Sequence, residues 1–166
     1  MLEGAEFTLC TAEDIKVDDK VIVKADTELE TVVTGEDGTE KFTMDLPFAK
    51  YYVKETKAPD GYVSSDEILE FETSYQGENV KVAKYEQVKT NKPTVFEFTK
   101  IDITSGEELD GAELSVIDKD GNVIDNWVSE KGKAHVIKYL KVGETYTLME
   151  ELAPYGYLKE LAHLSL

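Results

Sequence analysis

The stretch KETKAPDGY, residues 54–62, recurs 95 residues later as MEELAPYGY, residues 149–157. In both copies a glutamate, Glu55 or Glu150, stands three residues before the sequence Ala-Pro-x-Gly-Tyr. A rigid turn held at a fixed distance from one acidic side chain, twice in one chain, indicates an internal repeat. The sequence therefore predicts two copies of one structural unit, each ending a strand with a glutamate.

Short runs of alternating apolar and polar residues fill the rest of both copies. They are rich in Val, Ile, Thr, Tyr and Phe: EFTL, KVIV, ELETVV, KYYV, EILEFETS, NVKV, TVFEFTKI, AELSVI, AHVI and TYTL. Turn sequences such as GEDG, PDG and DKDGN separate them. This pattern predicts an all-β sandwich or barrel, and the lack of helical periods between strands excludes a parallel α/β sheet.

Two further features place the domains. LEGAEFTL at 2–9 matches LDGAELSV at 109–116, and Pro93 in NKPT suits a stiff joint between domains. We therefore predict domains at 1–92 and 93–166. Because only the second copy has a strand, TVFEFTKID, before its Gly-Ala-Glu, and only the first has a long tail after its Gly-Tyr, we expect domain 1 to lack its first strand and domain 2 its last.

Composition excludes several partners. The 166-residue chain has a net charge of -17, and all 18 basic residues are lysines. An acidic surface without arginine argues against nucleic acid and against anionic membranes. No apolar run is long enough to span a membrane, Met1 is not followed by a signal peptide, and no Leu-Pro-x-Thr-Gly anchor motif is present. The single cysteine, Cys10, permits no internal disulfide and is expected in the core.

Alternation along strands assigns charged side chains to the apolar face. In KYYVKE, Glu55 shares its face with Tyr51 and Val53, and Glu150 lies on the apolar face of TYTLME. Lys100 shares the face of both phenylalanines in TVFEFTK. Buried charges are costly unless paired, and burial favours the neutral forms of both amine and carboxyl groups. A neutral amine can attack the side-chain carbonyl of Asn or Asp, with a carboxyl group carrying the proton, to leave an amide cross-link.

These residues also carry a family resemblance. The order Lys-x-Asp, Thr-Ser-Gly-x-x-Leu-x-Gly-Ala-Glu, then Tyr-Thr-Leu-x-Glu-x-x-Ala-Pro-x-Gly-Tyr, spanning 100–113 and 146–157, resembles the collagen-adhesin B-type (SpaA-type, prealbumin-like) domains of Gram-positive pilins and adhesins. The resemblance implies two tandem immunoglobulin-like β-sandwiches that act as a stalk or spacer at the cell wall. We also expect contacts with other domains of the same surface protein, and no cofactor or metal.

Many domains of that family form a Lys-Asn or Lys-Asp isopeptide bond, with a glutamate as the catalyst. Carried over to this sequence, Lys100 matches the reactive lysine, while Glu55 and Glu150 match the catalytic glutamates. Asn91 is the acceptor that the first copy offers. Neither copy holds all three residues, since the first lacks the lysine and the second lacks an Asn or Asp after Tyr157. Any catalysis would be autocatalytic, so the chain is not expected to be an enzyme.

Other interpretations of the same residues stay open. Both glutamates can serve as strand-end hydrogen-bond acceptors, Lys100 can extend to the rim, and Asn91 can be a turn residue before Lys-Pro. Asn91 is out of phase with Val80, Val82 and Val88, so it faces inward only across a bulge.

At the level of the whole chain, two alternatives remain. The chain can be a module that binds a glycan or host matrix protein, with Trp127 as the platform, or its open edges can pair with strands of another molecule. DKDGN at 118–122 fits a hairpin turn better than a calcium loop, and His135 and His163 are not expected to form a metal or catalytic pair.

Overall fold

The computed structural model describes residues 2–78, 84–159 and 161–165, the last of these ranges by its backbone alone. The described part is all β. Its strands are β1 Glu6–Thr11, β2 Ile15–Val17, β3 Lys20–Val23, β4 Glu28–Val33, β5 Lys50–Lys57, β6 Tyr62–Val63, β7 Ile68–Glu72, β8 Lys92–Pro93, β9 Val95–Phe98, β10 Glu113–Ile117, β11 Val123–Val128, β12 His135–Lys138, β13 Thr145–Leu152 and β14 Leu161–Ser165. Nowhere in these ranges does a helix have the length and apolar character needed to cross a membrane.

The backbone divides into two compact units, Met1–Lys92 and Pro93–Leu166. Unit 1 is built on a four-stranded antiparallel sheet in the order β4-β1-β5-β7, with a small β2-β3 hairpin. Leu9 on β1 lies opposite Val53 on β5, and both belong to a core that also contains Tyr51. The alternation of KYYVKE therefore places its odd-numbered residues inward, as the sequence predicts.

Unit 2 repeats this arrangement with a four-stranded sheet in the order β11-β10-β13-β14. A second, two-stranded sheet pairs β9 with β12. The core contains Val116, Ile137, Leu140 and Tyr146, and the phenylalanines of β9 pack against it. The second sheet covers this core and brings the segment that follows β9 towards β13.

The C-terminal stretch LKELAHLSL, residues 158–166, contains none of the Val, Ile, Thr, Tyr or Phe residues that mark the other strands. It contains β14, which pairs with β13 from Thr145↔Ser165 to Met149↔Leu161. In the sheet order it takes the place that β7 takes in unit 1. A counterpart of β8 is not found among the described residues of unit 2. The predicted strand NVKV at 79–82 lies outside the described residues.

Unit 1 differs from unit 2 in the segment before β5. Residues 39–47 form no strand, and within the described ranges no strand pairs with them as β9 pairs with β12. A side chain holds the segment instead: the carboxylate of Glu30 accepts hydrogen bonds from Thr43 N at 2.9 Å, Thr43 Oγ1 at 2.9 Å and Met44 N at 3.1 Å. Phe42 and Leu46 of this segment pack against the core of unit 1, so an irregular segment covers the face that the β9–β12 sheet covers in unit 2.

The repeated Ala-Pro-x-Gly-Tyr sequence is a tight turn in both units. Tyr62 N donates to Pro59 O at 3.1 Å, and Tyr157 N donates to Pro154 O at 3.0 Å. The third turn residue has a positive φ, 80° at Gly61 and 92° at the matching glycine of unit 2. A type II turn requires this conformation, which glycine adopts without a steric penalty. The turn ends β5 and β13 at the same point after their glutamates.

The repeated Leu-x-Gly-Ala sequence is fixed by a hydroxyl group on the neighbouring strand end. In unit 1, Thr34 Oγ1 accepts from Ala5 N at 3.0 Å and donates to Leu2 O at 2.7 Å. Ser129 makes the corresponding two bonds in unit 2, at 3.0 and 2.8 Å. Sequence comparison missed this pair because the two hydroxyl residues differ in type and lie in unmatched segments.

Candidate functional site

In unit 1, Glu55 projects from β5 on the same side as buried Tyr51 and Val53. Its Oε1 accepts a hydrogen bond from Asn91 Nδ2 at 2.7 Å, and its Oε2 accepts one from Ser65 N at 3.1 Å. Both carboxylate oxygens are therefore held, one by a backbone amide of the segment that follows the turn and one by a side-chain amide.

Asn91 reaches this position through a short strand pairing. It immediately precedes β8, which pairs with β6 just after the Gly-Tyr turn. Asn91 Nδ2 also lies 3.4 Å from the carbonyl oxygen of Val63. The phase argument that turned Asn91 outward used Val80 and Val82, which lie outside the described residues, and Val88, which is 87% exposed. The structure brings Asn91 and Glu55 together.

In unit 2, Glu150 occupies the matching place on β13 and is only 3% exposed. The amine of Lys100 lies 3.1 Å from its Oε1, and the Lys100 side chain is 17% exposed. Lys100 follows β9, on the side of the two partly buried phenylalanines. The lysine that strand alternation places inward is thus ion-paired with the repeated glutamate.

A cavity of about 100 Å³ adjoins this ion pair. Its walls come from both sheets of unit 2 and from the pair itself: Phe98, Thr99, Lys100, Leu114, Trp127, Leu148 and Glu150. Apart from the pair, the lining is largely apolar, so a group that enters would meet an amine and a carboxyl in a poorly hydrated space. No Asn or Asp is among these lining residues.

The two units therefore hold different parts of one constellation. In unit 1 the carboxylate contacts a side-chain amide, and in unit 2 the equivalent carboxylate contacts an amine. In the described part of unit 1, the hydrogen-bond donors to Glu55 are Asn91 and Ser65, and no lysine is among them. The structure brings together Glu55 with Asn91 and Glu150 with Lys100, but among the residues that it describes neither site combines all three residue types.

A further contact in unit 2 ties the Gly-Tyr turn to the segment after Lys100. The carboxylate of Asp102 accepts hydrogen bonds from the Tyr157 hydroxyl at 2.7 Å and from Thr104 N at 2.7 Å. The bond from Tyr157, followed by the backbone bonds from Thr104 and Ser105, lowers the pKa of Asp102. Tyr157, the last residue of the repeated turn motif, and Asp102 of the Lys-x-Asp sequence thus form a contact that we call the latch. The sequence patterns did not predict that these two residues meet.

The remaining candidates have structural partners. In DKDGN, the carboxylate of Asp118 accepts from the backbone N–H groups of Asp120 and Asn122, which closes the β10–β11 hairpin. Trp127 packs against the core of unit 2 and stacks on the His135 ring. Cys10 is fully buried. Among the residues that the structure describes, no cluster of three or more His, Cys, Asp or Glu side chains is arranged to hold a metal ion.

The comparison with known proteins finds the same unit twice. Residues 1–88 and 94–164 match the family model described as SpaA, a prealbumin-like fold domain. Among curated proteins, none matches the chain significantly.

Solved structures also resemble the chain. The Bacillus anthracis TIE protein is 28% identical with a TM-score of 0.55, over 99% of this chain and 28% of that one. A C-terminal fragment of the pilus adhesin SpaC from Lactobacillus rhamnosus GG is 16% identical with a TM-score of 0.49, over 98% of this chain and 74% of the fragment. The shaft pilin SpaA from the same organism is 19% identical with a TM-score of 0.38, over 99% of this chain and 83% of that one.

Proposed function

The chain belongs to the family of SpaA prealbumin-like domains, and on this premise we propose that it is a stalk or spacer segment of an adhesin or pilin on the surface of a Gram-positive bacterium. Its domains are 1–92 and 93–166, and its neighbours are other domains of the same surface protein. The family match, the tandem arrangement and the acidic, lysine-only surface support this role. Saturable binding of a glycan or host matrix protein by the isolated chain would contradict it.

We further propose that each domain holds part of the machinery for an amide cross-link. The observation that carries this proposal is the pairing of the repeated glutamate with a different reactant in each unit, Asn91 at 2.7 Å in unit 1 and Lys100 at 3.1 Å in unit 2. In this proposal, Glu55 and Glu150 transfer protons, and Lys100 is the nucleophile. Asn91 supplies the side-chain carbonyl carbon that a lysine amine attacks. Unit 1 then requires a strand that carries a lysine, and unit 2 one that carries an Asn or Asp.

The reaction follows from these contacts. Once the lysine of the ion pair has given a proton to the glutamate, its neutral amine attacks the side-chain carbonyl carbon of the asparagine, so a C–N bond forms, the bond to Nδ2 breaks and ammonia leaves. The glutamate transfers a proton from the attacking amine to the departing nitrogen. In the family arrangement such a bond joins the first and last strands of one domain. Tension would then pass through a covalent bond and not through the hydrogen bonds of the sheet.

Intact mass under denaturing conditions tests the first part of this proposal. Because no described unit combines amine, carboxyl and acceptor, we expect the mass of the chain alone to equal that of its sequence. A mass short by one ammonia or one water would instead mean that a bond has formed within the chain, and peptide mapping would identify its two residues.

Supplying the absent reactant tests the second part. We expect the peptide TVFEFTKID, which copies residues 94–102, to pair with the segment 39–47 of unit 1, as β9 pairs with β12 in unit 2, and to become linked to Asn91. The adduct should weigh one ammonia less than the two components together. The Glu55→Gln variant of the protein and a peptide with arginine in place of its lysine are the matched controls. Tight peptide binding without any covalent product would contradict the assignment of Glu55 and Asn91.

A further inference from the structure

The rings of His135 and Trp127 are stacked on each other in unit 2. Their centroids are 4.3 Å apart and their planes differ by 6°. The two residues belong to different sheets: Trp127 lies on β11, at the edge of the four-stranded sheet, and His135 lies on β12 of the two-stranded sheet. The stack therefore connects the two sheets at one edge of the unit.

A hydrogen bond fixes the orientation of the imidazole in this stack. Nε2 of His135 lies 2.9 Å from Oδ2 of Asp125, so the ring N–H donates to the carboxylate. Asp125 and Trp127 are alternate residues of β11 and share one face. Across the β9–β12 pair, His135 lies opposite the uncharged Phe98. Asp125 is thus the charged group in hydrogen-bond contact with the imidazole. Strand β11 therefore contacts His135 through two side chains, the Trp127 ring and the Asp125 carboxylate.

Trp127 also lines the cavity beside Lys100 and Glu150. Trp127 packs against Phe98 with ring centroids 5.5 Å apart, and both residues line the cavity that adjoins Lys100 and Glu150. The indole is therefore one wall of the space next to the amine. In the sheet order β11 is an edge strand that pairs with β10. Contacts between the side chains of β11 and β12 therefore help to fix the distance between these two strands.

We propose that His135 is a positioning residue that, together with Asp125, holds the Trp127 ring closed over the Lys100 amine and limits the access of water and solutes to it. The consequence for cross-linking rests on the proposed function: a shielded amine loses its water shell and stays available to an acceptor side chain that enters the cavity. The shielding itself is a property of the folded unit and does not depend on any bond being formed.

Competitive acetylation measures this shielding directly. The whole chain is treated with a low concentration of acetic anhydride, and the labelling of each lysine is followed by peptide mass mapping. Lys119, whose side chain is 61% exposed, serves as the internal reference. In the unmodified protein, we expect Lys100 to react much more slowly than Lys119.

Three variants separate the parts of the arrangement. His135→Ala removes both the stack and the hydrogen bond, and we expect labelling of Lys100 to rise about tenfold relative to Lys119, as loss of one stacking and one hydrogen-bond contact allows. His135→Phe keeps a stacked ring and should restore most of the protection. Asp125→Asn keeps an acceptor for the imidazole and should give an intermediate value.

The fluorescence of Trp127, the single tryptophan of the chain, supplies a second and spectroscopic measurement. Its emission should change in His135→Ala and return towards the original spectrum in His135→Phe. An unchanged Lys100 labelling ratio in a folded His135→Ala variant would overturn the proposal. If that variant unfolds, equal labelling of Lys100 in folded Asp125→Asn and unmodified protein would do so. Failure of peptide capture would instead contradict the proposed function and leave these ratios unaffected.

Discussion

Among single residues, Lys100 and Glu150 are expected to contribute strongly to the free energy of unfolding of unit 2, because they form a buried ion pair. Removing one partner of a buried ion pair leaves the other charge without compensation. We expect Lys100→Met to lower the free energy of unfolding by about 3 kcal/mol, and the double change Lys100→Met with Glu150→Leu to restore most of it. Urea denaturation followed by Trp127 fluorescence measures both.

An exposed pair in the same unit is the matched control. Lys119 lies 3.0 Å from Glu144, with both side chains well exposed, and Lys119→Met should cost less than about 1 kcal/mol. If Lys100→Met and Lys119→Met had equal effects, Lys100 and Glu150 would not form a buried pair in solution.

Strand alternation predicted the inward positions of Glu55, Glu150 and Lys100 because those positions depend only on residues of the same strand. The contact of Asn91 with Glu55 could not be predicted in this way. It depends on the pairing of β6 with β8, two strands of two residues each, which are separated by almost 30 residues of chain. Such short pairings leave no periodic pattern in the sequence.

At the scale of elements, the latch between Asp102 and Tyr157 joins the turn after β13 to the segment after β9. Because the bond from the Tyr157 hydroxyl is the largest cause of the lowered pKa of Asp102, Tyr157→Phe should raise that pKa towards its usual value. The backbone bonds from Thr104 and Ser105 remain, so the return should be incomplete. NMR titration of the Asp102 carboxyl measures the change.

The direction of the pH effect follows from the same shift. A carboxyl group whose pKa is lower in the folded state stabilises the fold above its unfolded pKa of about 4, and this contribution is lost as the pH falls through the folded value. The Tyr157→Phe variant should therefore lose less stability on acidification than the unmodified protein. Tyr155→Phe, at a fully exposed position of the same turn, should leave the Asp102 titration unchanged.

Most strands of four or more residues were predictable from β-branched and aromatic alternation, but β14 was not. Its sequence, LAHLS, has little of the Val, Ile, Thr and Tyr content that marks a strand. Its pairing with β13 comes instead from the architecture, since the matching edge of unit 1 is occupied by β7. The two-residue strands β6 and β8 are too short to have a sequence pattern of their own.

At the scale of the whole molecule, each unit has its own buried core, so we expect each to unfold on its own. Leu9 is fully buried in unit 1, and Leu9→Ala should lower the stability of that unit by about 3 kcal/mol. The urea transition of Trp127, which lies in unit 2, should not move. Val116→Ala in the core of unit 2 should show the converse.

Hydrogen exchange resolved by peptide mass measurement reports on unit 1, which has no tryptophan. Faster exchange confined to β1 and β5 in Leu9→Ala would agree with independent units. A shift of the Trp127 midpoint in the same variant would show that the units unfold together. The repeat in the sequence predicted two units, because a repeated sequence indicates a repeated structural unit. The sequence did not predict which side chain contacts the repeated glutamate of unit 1, because that contact joins residues far apart in the chain.

The hydrogen bonds of the Glu30 carboxylate affect how readily unit 1 pairs with strands of other molecules. Open strand edges recruit strands from neighbouring molecules through their free backbone N–H groups, and proteins avoid aggregation by blocking such edges. Glu30 already accepts from Thr43 N and Met44 N, so a stray strand meets a negative charge where it would otherwise find donors. Glu30 therefore satisfies two backbone donors that a strand of another molecule would otherwise bind.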